Sequence, residues 1–395
     1  MSFISDKAAH VSPSSTLAID SKAKAMIADG IDVVAFGAGE PDFDTPQHIK
    51  EAAIEAILAG KTKYTPASGT LDLKKAVCRK FMRDNGLEYN PENIVISNGA
   101  KHSLMNIFNA ICNPGDEVIV PAPFWVSYPE MIKMADGVPV TLMTKEENEF
   151  KFTAAELEAA ITPRTRALVL NTPSNPTGMV YSKEELAAIA EVVVRHDIYV
   201  ISDEIYEHLV YGPFPTSIAA LGEKIKDKVI IVNGVSKTYA MTGWRIGYTA
   251  SSAALAKVMS NIQSHATSNP NSIAQAAAIA ALDGPMDAML EMKAAFDERR
   301  KYMTQRINSI EGVSCKEPKG AFYVMMNISK LKGRVLGGKE IHSSDDFANA
   351  FLEKALVAVV PCSGFAADDY VRWSYATSME NIVKGLDRLE EFLQA

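Results

Sequence analysis

The sequence predicts an α/β fold: a large domain with a mostly parallel sheet between helices, and a smaller α+β domain. Its 395 residues exceed what one hydrophobic core usually serves. From about residue 90 to 250, short β-branched runs alternate with amphipathic helical stretches, a pattern typical of parallel strands joined by helices. We expect residues 1–47 to form an N-terminal arm and part of the small domain, 48–285 the large domain and 286–395 the C-terminal small domain.

Composition and charge narrow the class of protein. The formal net charge is −8, with 47% hydrophobic and 22% charged residues, which argues against nucleic-acid or membrane partners because both favour a basic face. The four cysteines are far apart with no CxxC pair, which predicts reduced thiols rather than disulfides or a zinc site. Residues 1–9 lack the apolar core of a secretory signal, and no apolar run approaches the roughly 18 residues of a membrane helix. We therefore expect a cytoplasmic protein.

The large domain is predicted from strands and helix starts. The predicted strands are 94–97, 117–120, 167–170, 199–202, 229–232 and 246–250. Thr153 with Glu156, and Ser182 with Glu185, have the spacing of capping boxes at helix starts. In open α/β sheets ligands bind beyond the carboxyl ends of the strands, so the chemistry is expected there.

The small domain begins with a long charged helix, predicted over 286–310. A strand at 321–326 and a helix at 345–355 are predicted to follow. The stretch 331–344 is rich in Gly, Lys and Ser and is predicted to be an exposed loop.

Two neighbouring strand ends carry an acid, a phenol and a lysine. Asp203 and Tyr206 follow strand 199–202, and Lys237 follows strand 229–232. A carboxylate can keep a pyridine nitrogen protonated and a phenol can bond a ring hydroxyl, while a desolvated lysine can form an imine with an aldehyde. Spacing alone does not require a ligand here. It is also compatible with an Asp that merely ends a strand and a Lys that is merely solvated.

Two further strand ends offer an amide and an anion site. Residues 171–178, with two prolines and a glycine, form a rigid turn that presents Asn175, although spacing alone requires no ligand there. Gly99, Ala100 and Lys101 open a predicted helix whose free amides would favour a phosphate. Walker, GxGxxG, HExxH and GxSxG patterns are absent, which argues against nucleotide, metal and serine-hydrolase chemistry.

Together these motifs resemble those of class I aminotransferases of fold type I, the fold of pyridoxal-phosphate-dependent transferases. The segments 175–178, 202–206 and 236–245 carry the resemblance, which extends from 37–46 to 372–378. Within that class the sequence is most similar to the bacterial aspartate aminotransferases of subgroup Ib. The resemblance implies pyridoxal 5'-phosphate as cofactor and a homodimer with shared active sites.

The resemblance also implies a role for each site residue. Lys237 would hold the cofactor as a Schiff base and move protons, Asp203 would pair with the pyridine nitrogen, and Tyr206 and Asn175 would bond the ring oxygen. Trp125 would cover the ring. The phosphate would be held by Arg245, the amides of Gly99, Ala100 and Lys101, and Tyr64 of the other subunit.

Substrate recognition is implied in the same way. Arg372 would grip the α-carboxylate, because a planar fork suits a carboxylate. Lys101 would bind a distal carboxylate, and the remaining substrate contacts would come from Gly39, Trp125 and Asn175. Relatives that use prephenate carry a basic residue where this chain has Ser12, so prephenate is not expected as a substrate. Trp373 departs from the smaller aliphatic residues common at its position.

The resulting hypothesis is a ping-pong transaminase that converts L-aspartate and 2-oxoglutarate to oxaloacetate and L-glutamate. One alternative is broader specificity for aromatic or other amino acids. Another is a fold type I C–S lyase, which shares the lysine, aspartate and arginine. A cofactor-sensing transcription regulator would need an added DNA-binding module, and the sequence contains no basic helix-turn-helix segment.

Overall fold

The computed structural model describes residues 3–9, 11–12 and 15–394. Its strands are β1 Val34–Ala35, β2 Ile94–Ser97, β3 Glu117–Ala122, β4 Val138–Met143, β5 Thr165–Asn171, β6 Tyr199–Asp203, β7 Val229–Gly234, β8 Gly247–Ala250, β9 Ser314–Cys315, β10 Tyr323–Asn327, β11 Val335–Leu336, β12 Lys339–Glu340, β13 Val357–Ala358, β14 Val360–Pro361 and β15 Tyr370–Ser374.

The helices surround these strands. They are α1 Asp6–Ala9, α2 Ser15–Ala28, α3 Gln47–Leu58, α4 Leu71–Lys80, α5 Ala100–Ile111, α6 Ser127–Met134, α7 Ala154–Ala160, α8 Lys183–His196, α9 Glu223–Lys226, α10 Ala253–Ala266, α11 Ser272–Asp283, α12 Asp287–Ser309, α13 Ser344–Ala355 and α14 Met379–Gln394. Short 3-10 turns and one π turn, Phe81–Asn85, complete the regular structure. No helix in the described ranges is both long enough and apolar enough to cross a membrane.

A seven-stranded sheet forms the centre, in the order β2-β8-β7-β6-β5-β3-β4. β8 pairs antiparallel with both of its neighbours, and the other pairings are parallel. β2 therefore points the same way as β7, so the carboxyl ends of β2, β5, β6 and β7 share one edge. This confirms the mostly parallel α/β sheet and brings the predicted strand ends together.

The strands are apolar on both faces because helices cover both. Ile94, Ile96 and Ile231 belong to one core with α3, α4, α8 and α11, whereas alternate residues such as Val95 and Val232 belong to the core with α5, α6 and α10. Sheets covered on both sides need such near-continuous apolar runs. The predicted capping boxes at Thr153 and Ser182 both form and begin α7 and α8.

A second core lies beside the main sheet. A four-stranded antiparallel sheet, β14-β15-β10-β9, packs with α12, α13 and α14, and Val34 and Phe36 of the N-terminal segment enter the same core. β1 pairs with β13, which ties residues 34–35 to the C-terminal part of the chain. The domain boundaries at residues 47 and 285 stay a prediction.

Two expectations about elements need correction, and one strand, β4, has no counterpart among the predicted strands. The last predicted strand begins at Gly247 rather than at residue 246. The sequence does not predict β4, because this edge strand is half exposed and contains Pro139. Segment 331–344 is only partly an exposed loop. It contains the β11–β12 hairpin, and Leu331, Leu336 and Ile341 are buried in the second core, which anchors the segment despite its polar composition.

Candidate active site

A cleft of about 510 Å³ opens at the shared carboxyl edge of the main sheet. The ends of β5, β6 and β7 and the start of α5 form one wall, and Tyr323 and Arg372 from the second sheet form another. The lining comprises Asp20, Lys24, Gly37, Ala38, Gly39, Glu40, Ala100, Lys101, Leu104, Trp125, Tyr128, Asn171, Asn175, Asp203, Ile205, Tyr206, Ser236, Lys237, Thr242, Arg245, Tyr323 and Arg372. Most of the predicted site residues therefore lie in one cavity.

Lys237 stands at the centre of the cleft, in the segment after β7. Its ammonium donates a hydrogen bond to the carbonyl of Gly39. Burial lowers the pKa of Lys237 to about 8, and the positive charges of Arg372 and Arg245 act in the same direction while Glu40 opposes them. A lysine in this range has a substantial fraction of free amine near neutral pH, as a nucleophile or proton acceptor requires.

Asp203 ends β6 and is fully enclosed. Burial raises its pKa to about 6, although a hydrogen bond from Tyr128 and the amide of Ile205 favour the ionised form. The Tyr128 hydroxyl donates to Oδ2 at 2.6 Å. An enclosed carboxylate that retains its charge near pH 7 is suited to hold a cationic ring nitrogen.

Tyr206 and Arg372 make contacts across the cleft, between the wall formed by the main sheet and the wall formed by the second sheet. The Tyr206 hydroxyl lies 3.0 Å from that of Tyr323, and burial raises the pKa of Tyr206 well above its usual value, so its phenol stays protonated. The Arg372 guanidinium lies over the Tyr323 ring at 4.3 Å and donates from Nη1 to Asn175 Oδ1 at 2.9 Å and from Nη2 to Gly37 O at 3.1 Å. Its buried Nε has no partner among the described residues.

The start of α5 forms a concave, positively charged site. Gly99 caps the helix at φ 88°, and a Cβ there would lie 2.3 Å from Arg245 Nη2. Arg245 is fixed by hydrogen bonds to the carbonyls of Thr242 (2.9 Å) and Asn98 (3.3 Å). The Gly99 amide bonds to Ser97 O, whereas the first helical amides, those of Ala100 and Lys101, have no intrahelical acceptor. An anion is favoured at such a helix start.

Lys101 and Trp125 lie together at the rim. The Lys101 ammonium is 4.8 Å from the centre of the Trp125 ring, and burial together with the charge of Arg245 lowers the pKa of Lys101. Trp125 packs edge-on to Tyr128 with ring centres 5.4 Å apart. The two side chains thus combine a cation and an aromatic face next to the anion site.

Two predicted site residues, Gly99 and Tyr64, are absent from the cleft lining; Gly99 lies directly before the lining residue Ala100, whereas Tyr64 does not reach the cleft. Its side chain is 92% exposed, and it is absent from the lining described above. Two other residues singled out from the sequence also lie elsewhere. The amide of Ser12 bonds to Glu130 at 3.0 Å, and Trp373 is buried in the second core against Phe36 at 4.6 Å.

Several lining residues were not foreseen from the sequence. Tyr128 follows Trp125 by three residues, a spacing that places both on one side of a helical turn. From this spacing the sequence could have predicted Tyr128 as a site residue. Asp20, Lys24 and Glu40 come from the N-terminal segment. The family resemblance placed Gly39, next to Glu40, at the site, but no local pattern relates Asp20 and Lys24 to the strand ends, so sequence reasoning could not place these two in the cleft.

A buried ionic cluster lies behind the Tyr206 segment. Ligand atoms of Asp84, Glu207 and His208 lie within 4.8 Å of one another. The buried ammonium of Lys80 pairs with Glu207 and approaches Asp84 at 3.8 Å, and Asn233 at the end of β7 donates to Glu207 at 2.6 Å. Lys80 pairs with Glu207 and Arg83 pairs with Asp84, so both carboxylates have cationic partners and the cluster is a structural ion-pair network that ties α4 to β7.

Comparison with known proteins gives consistent matches over the full chain. The family described as "Aminotransferase class I and II" matches residues 31–389. The chain is 48% identical over 393 residues to an aspartate aminotransferase of Geobacillus stearothermophilus, covering 99% of each protein, and 48% identical over 395 residues to an aspartate/prephenate aminotransferase of Cereibacter sphaeroides, again with 99% of each covered. A solved aspartate aminotransferase from Rhizobium meliloti superposes with a TM-score of 0.96 at 43% identity, covering 100% of this chain and 99% of that one.

Proposed function

The chain belongs to the class I and II aminotransferases, and on that premise we propose that it moves the amino group of L-aspartate to 2-oxoglutarate, giving oxaloacetate and L-glutamate. The observation that carries the proposal is the placement of Lys237, with its lowered pKa, in one cleft with Asp203 and Arg372. Relatives matched over nearly their whole length are named as aspartate aminotransferases, which favours transamination over the lyase and regulator alternatives.

The residues present fit pyridoxal phosphate. When bound, the cofactor supplies an aldehyde that condenses with amines and a ring that accepts electrons from the substrate's α-carbon. The start of α5 and Arg245 would hold the phosphate, because Gly99 leaves the space that a Cβ would fill. Asp203 would hold the ring nitrogen. Asn175 uses its amide oxygen to accept from Arg372, which leaves its NH₂ to donate to the ring oxygen beside Tyr206.

Lys237 has two tasks in this proposal. Its amine would tether the cofactor, and once the amine of the substrate had taken its place, the free amine would carry the α-proton. A pKa of about 8 suits both tasks, since the amine accepts a proton readily and is not permanently protonated. The carbonyl of Gly39, which accepts from Lys237, orients the amine within the cleft.

Arg372 would bind the α-carboxylate. Asn175 and Gly37 fix its guanidinium, and the ring of Tyr323 supports its face, so the arginine is oriented before substrate arrives. We propose that Lys101 binds the distal carboxylate, with Trp125, Gly39 and Asn175 completing the substrate contacts. The amide of Ser12 bonds to the carboxylate of Glu130, and with serine rather than a basic residue at this position we do not expect prephenate as a substrate.

We further propose a homodimer in which Tyr64 enters the partner's cleft to reach the phosphate. Tyr64 is one of several exposed apolar side chains in and between α3 and α4, and exposed apolar surface commonly marks a protein interface. The others are Ile54, Ile57, Leu58 and Leu71. We also expect the protein in the cytoplasm. A monomer at micromolar concentration in analytical ultracentrifugation would contradict the shared site.

Replacement of Lys237 by alanine tests the catalytic proposal. The variant should fold normally, lose the absorbance band of the lysine-bound cofactor, and lose steady-state transfer from aspartate to 2-oxoglutarate. Lys257→Ala is the control, because Lys257 is an exposed lysine on α10. Normal turnover by Lys237→Ala would refute the proposal, as would release of pyruvate and ammonia from β-substituted amino acids as the main wild-type reaction.

A further inference from the structure

An ion pair on α2 stands at the mouth of the cleft. Lys24 Nζ lies 2.8 Å from Asp20 Oδ2, one helical turn away, and the Lys24 side chain remains 73% exposed while that of Asp20 is 23% exposed. Both residues line the same cavity as Lys237 and Arg372. Lys24 is therefore an accessible cation at the entrance of the active site.

The position of Asp20 relates this pair to substrate binding. Its Oδ1 would lie 3.8 Å from a Cβ placed on Gly37, and the carbonyl of Gly37 accepts a hydrogen bond from Arg372 Nη2. One backbone segment thus separates the ion pair from the arginine proposed to bind the α-carboxylate. A substrate longer than alanine has a second end that must lie elsewhere in the cleft.

The charge balance of the cleft favours a second acidic group on the substrate. Five lining residues are cationic and three are anionic. The cations are Lys24, Lys101, Lys237, Arg245 and Arg372, and the anions are Asp20, Glu40 and Asp203. In the cofactor-loaded enzyme Lys237, Arg245 and Asp203 would contact the cofactor and Arg372 the α-carboxylate, which leaves Lys24 and Lys101 as the cations for a second acidic group. The hydrogen bond to Asp20 and the negative charge of Asp20 raise the pKa of Lys24, and the charge of Glu40 acts in the same direction. Lys24 is therefore charged at neutral pH. Without it, an incoming dicarboxylate would meet Asp20 and Glu40 at the mouth with no compensating cation on α2.

We infer that Lys24 is a specificity-determining residue of the proposed reaction. Its ammonium breaks the ion pair with Asp20 and binds the distal carboxylate of the substrate instead. Exposed ion pairs are weak, so the exchange of one carboxylate for another costs little. The inference rests on the proposed function and adds a second contact to that of Lys101. The two cations come from separate elements, since Lys24 lies on α2, beside β14, and Lys101 lies in the first turn of α5, which packs on the main sheet.

The test uses the cofactor-loaded enzyme and succinate, a dicarboxylate that has no amino group to transfer. The dissociation constant of succinate is read from the cofactor's absorbance for Lys24→Met, Lys24→Arg and the matched control Lys22→Met. Lys22 lies on the same helix, pairs with Glu353 at 2.7 Å and is not part of the cleft lining. Lys24→Met should weaken succinate about three- to fivefold, as expected for one exposed ion pair, while Lys24→Arg and Lys22→Met stay close to wild type.

Two further measurements separate direct binding from simple neutralisation of Asp20. Asp20→Asn should bind succinate at least as tightly as wild type, because it frees Lys24. The double variant Asp20→Asn with Lys24→Met should stay weaker than wild type, because the cation that contacts succinate is missing, and recovery of wild-type affinity would overturn the inference. The kcat/KM for alanine should not change in Lys24→Met, and an equal loss for alanine and aspartate would also overturn it. A wild-type enzyme inactive on aspartate would instead refute the proposed function itself.

Discussion

Loss of the Tyr128 hydroxyl should change the proton affinity of Asp203. In the folded chain Tyr128 donates to Asp203 Oδ2 at 2.6 Å, and burial holds the pKa of that carboxyl at about 6 even with this donor present. Hydrogen bonds to charged groups contribute roughly 1.5–3 kcal/mol, and one pKa unit corresponds to about 1.4 kcal/mol. Tyr128→Phe should therefore raise the pKa of Asp203 by roughly one to two further units.

The sign of the effect on stability follows from this shift. Because the folded pKa lies above the ordinary value of 3.8, the carboxyl favours folding below about pH 4, and this contribution is lost as the pH rises through about 6. In Tyr128→Phe the loss continues to higher pH and becomes larger. The difference in the free energy of unfolding between variant and wild type should be small at pH 4 and reach roughly 1.5–3 kcal/mol at pH 8.

Urea denaturation of the cofactor-free protein between pH 4 and pH 8 measures this difference directly. Tyr181→Phe is the control, because the buried Tyr181 hydroxyl accepts from the Phe152 amide at 3.0 Å and bonds to no carboxylate in the part of the chain that the structure describes. Its destabilisation should be the same at both pH values. If Tyr128→Phe were equally destabilised at pH 4 and pH 8, the phenol would act only through packing and the reasoning about Asp203 would be wrong.

Two other substitutions test separate parts of the cleft. Lys101→Ser should raise the KM for aspartate far more than that for alanine or phenylalanine, because it removes the cation beside Trp125; equal changes for all three donors in steady-state assays would refute the distal-carboxylate role. Gly99→Ala should weaken binding of pyridoxal phosphate about tenfold or more, because a Cβ there collides with Arg245 and the backbone is strained by roughly 1–3 kcal/mol. Gly86→Ala, with φ 65° but open space, is its control, and equal cofactor affinity of the two variants in an absorbance titration would exclude the collision.

The strand positions of the large domain could be predicted because each strand is a β-branched run covered on both faces. Ile94–Ser97 has the predicted bounds, and Tyr199–Asp203 differs by one residue. The direction of β8 could not be predicted, since the local sequence of a strand does not encode which way it runs against its neighbours. β4 escaped prediction for a different reason: it is an edge strand and is not a continuous apolar run.

The site was predictable where a motif follows a strand, and not where distant segments meet. Asp203, Lys237 and Asn175 were found from strand ends and family motifs. The contact between Asn175 and Arg372 joins residues 197 positions apart, and periodicity carries no information about such a pair. Lys24 is the clearest omission, because a lysine four residues after an aspartate on a helix usually indicates only a solvated ion pair, and its function depends on where α2 packs.

The bonds that join the two sheets at the cleft are made by the site residues themselves. Asn175 bonds to Arg372, Tyr206 to Tyr323 and Lys237 to the carbonyl of Gly39. Each pair links a strand end of the main sheet either to the second core or to the N-terminal segment that follows Phe36 of that core. A change in how the two cores pack would therefore displace the arginine, the phenol and the lysine together. For this reason substitutions in the second core, such as Trp373 against Phe36, can alter substrate binding without touching the substrate, because β15 carries Trp373 and Arg372 as neighbours.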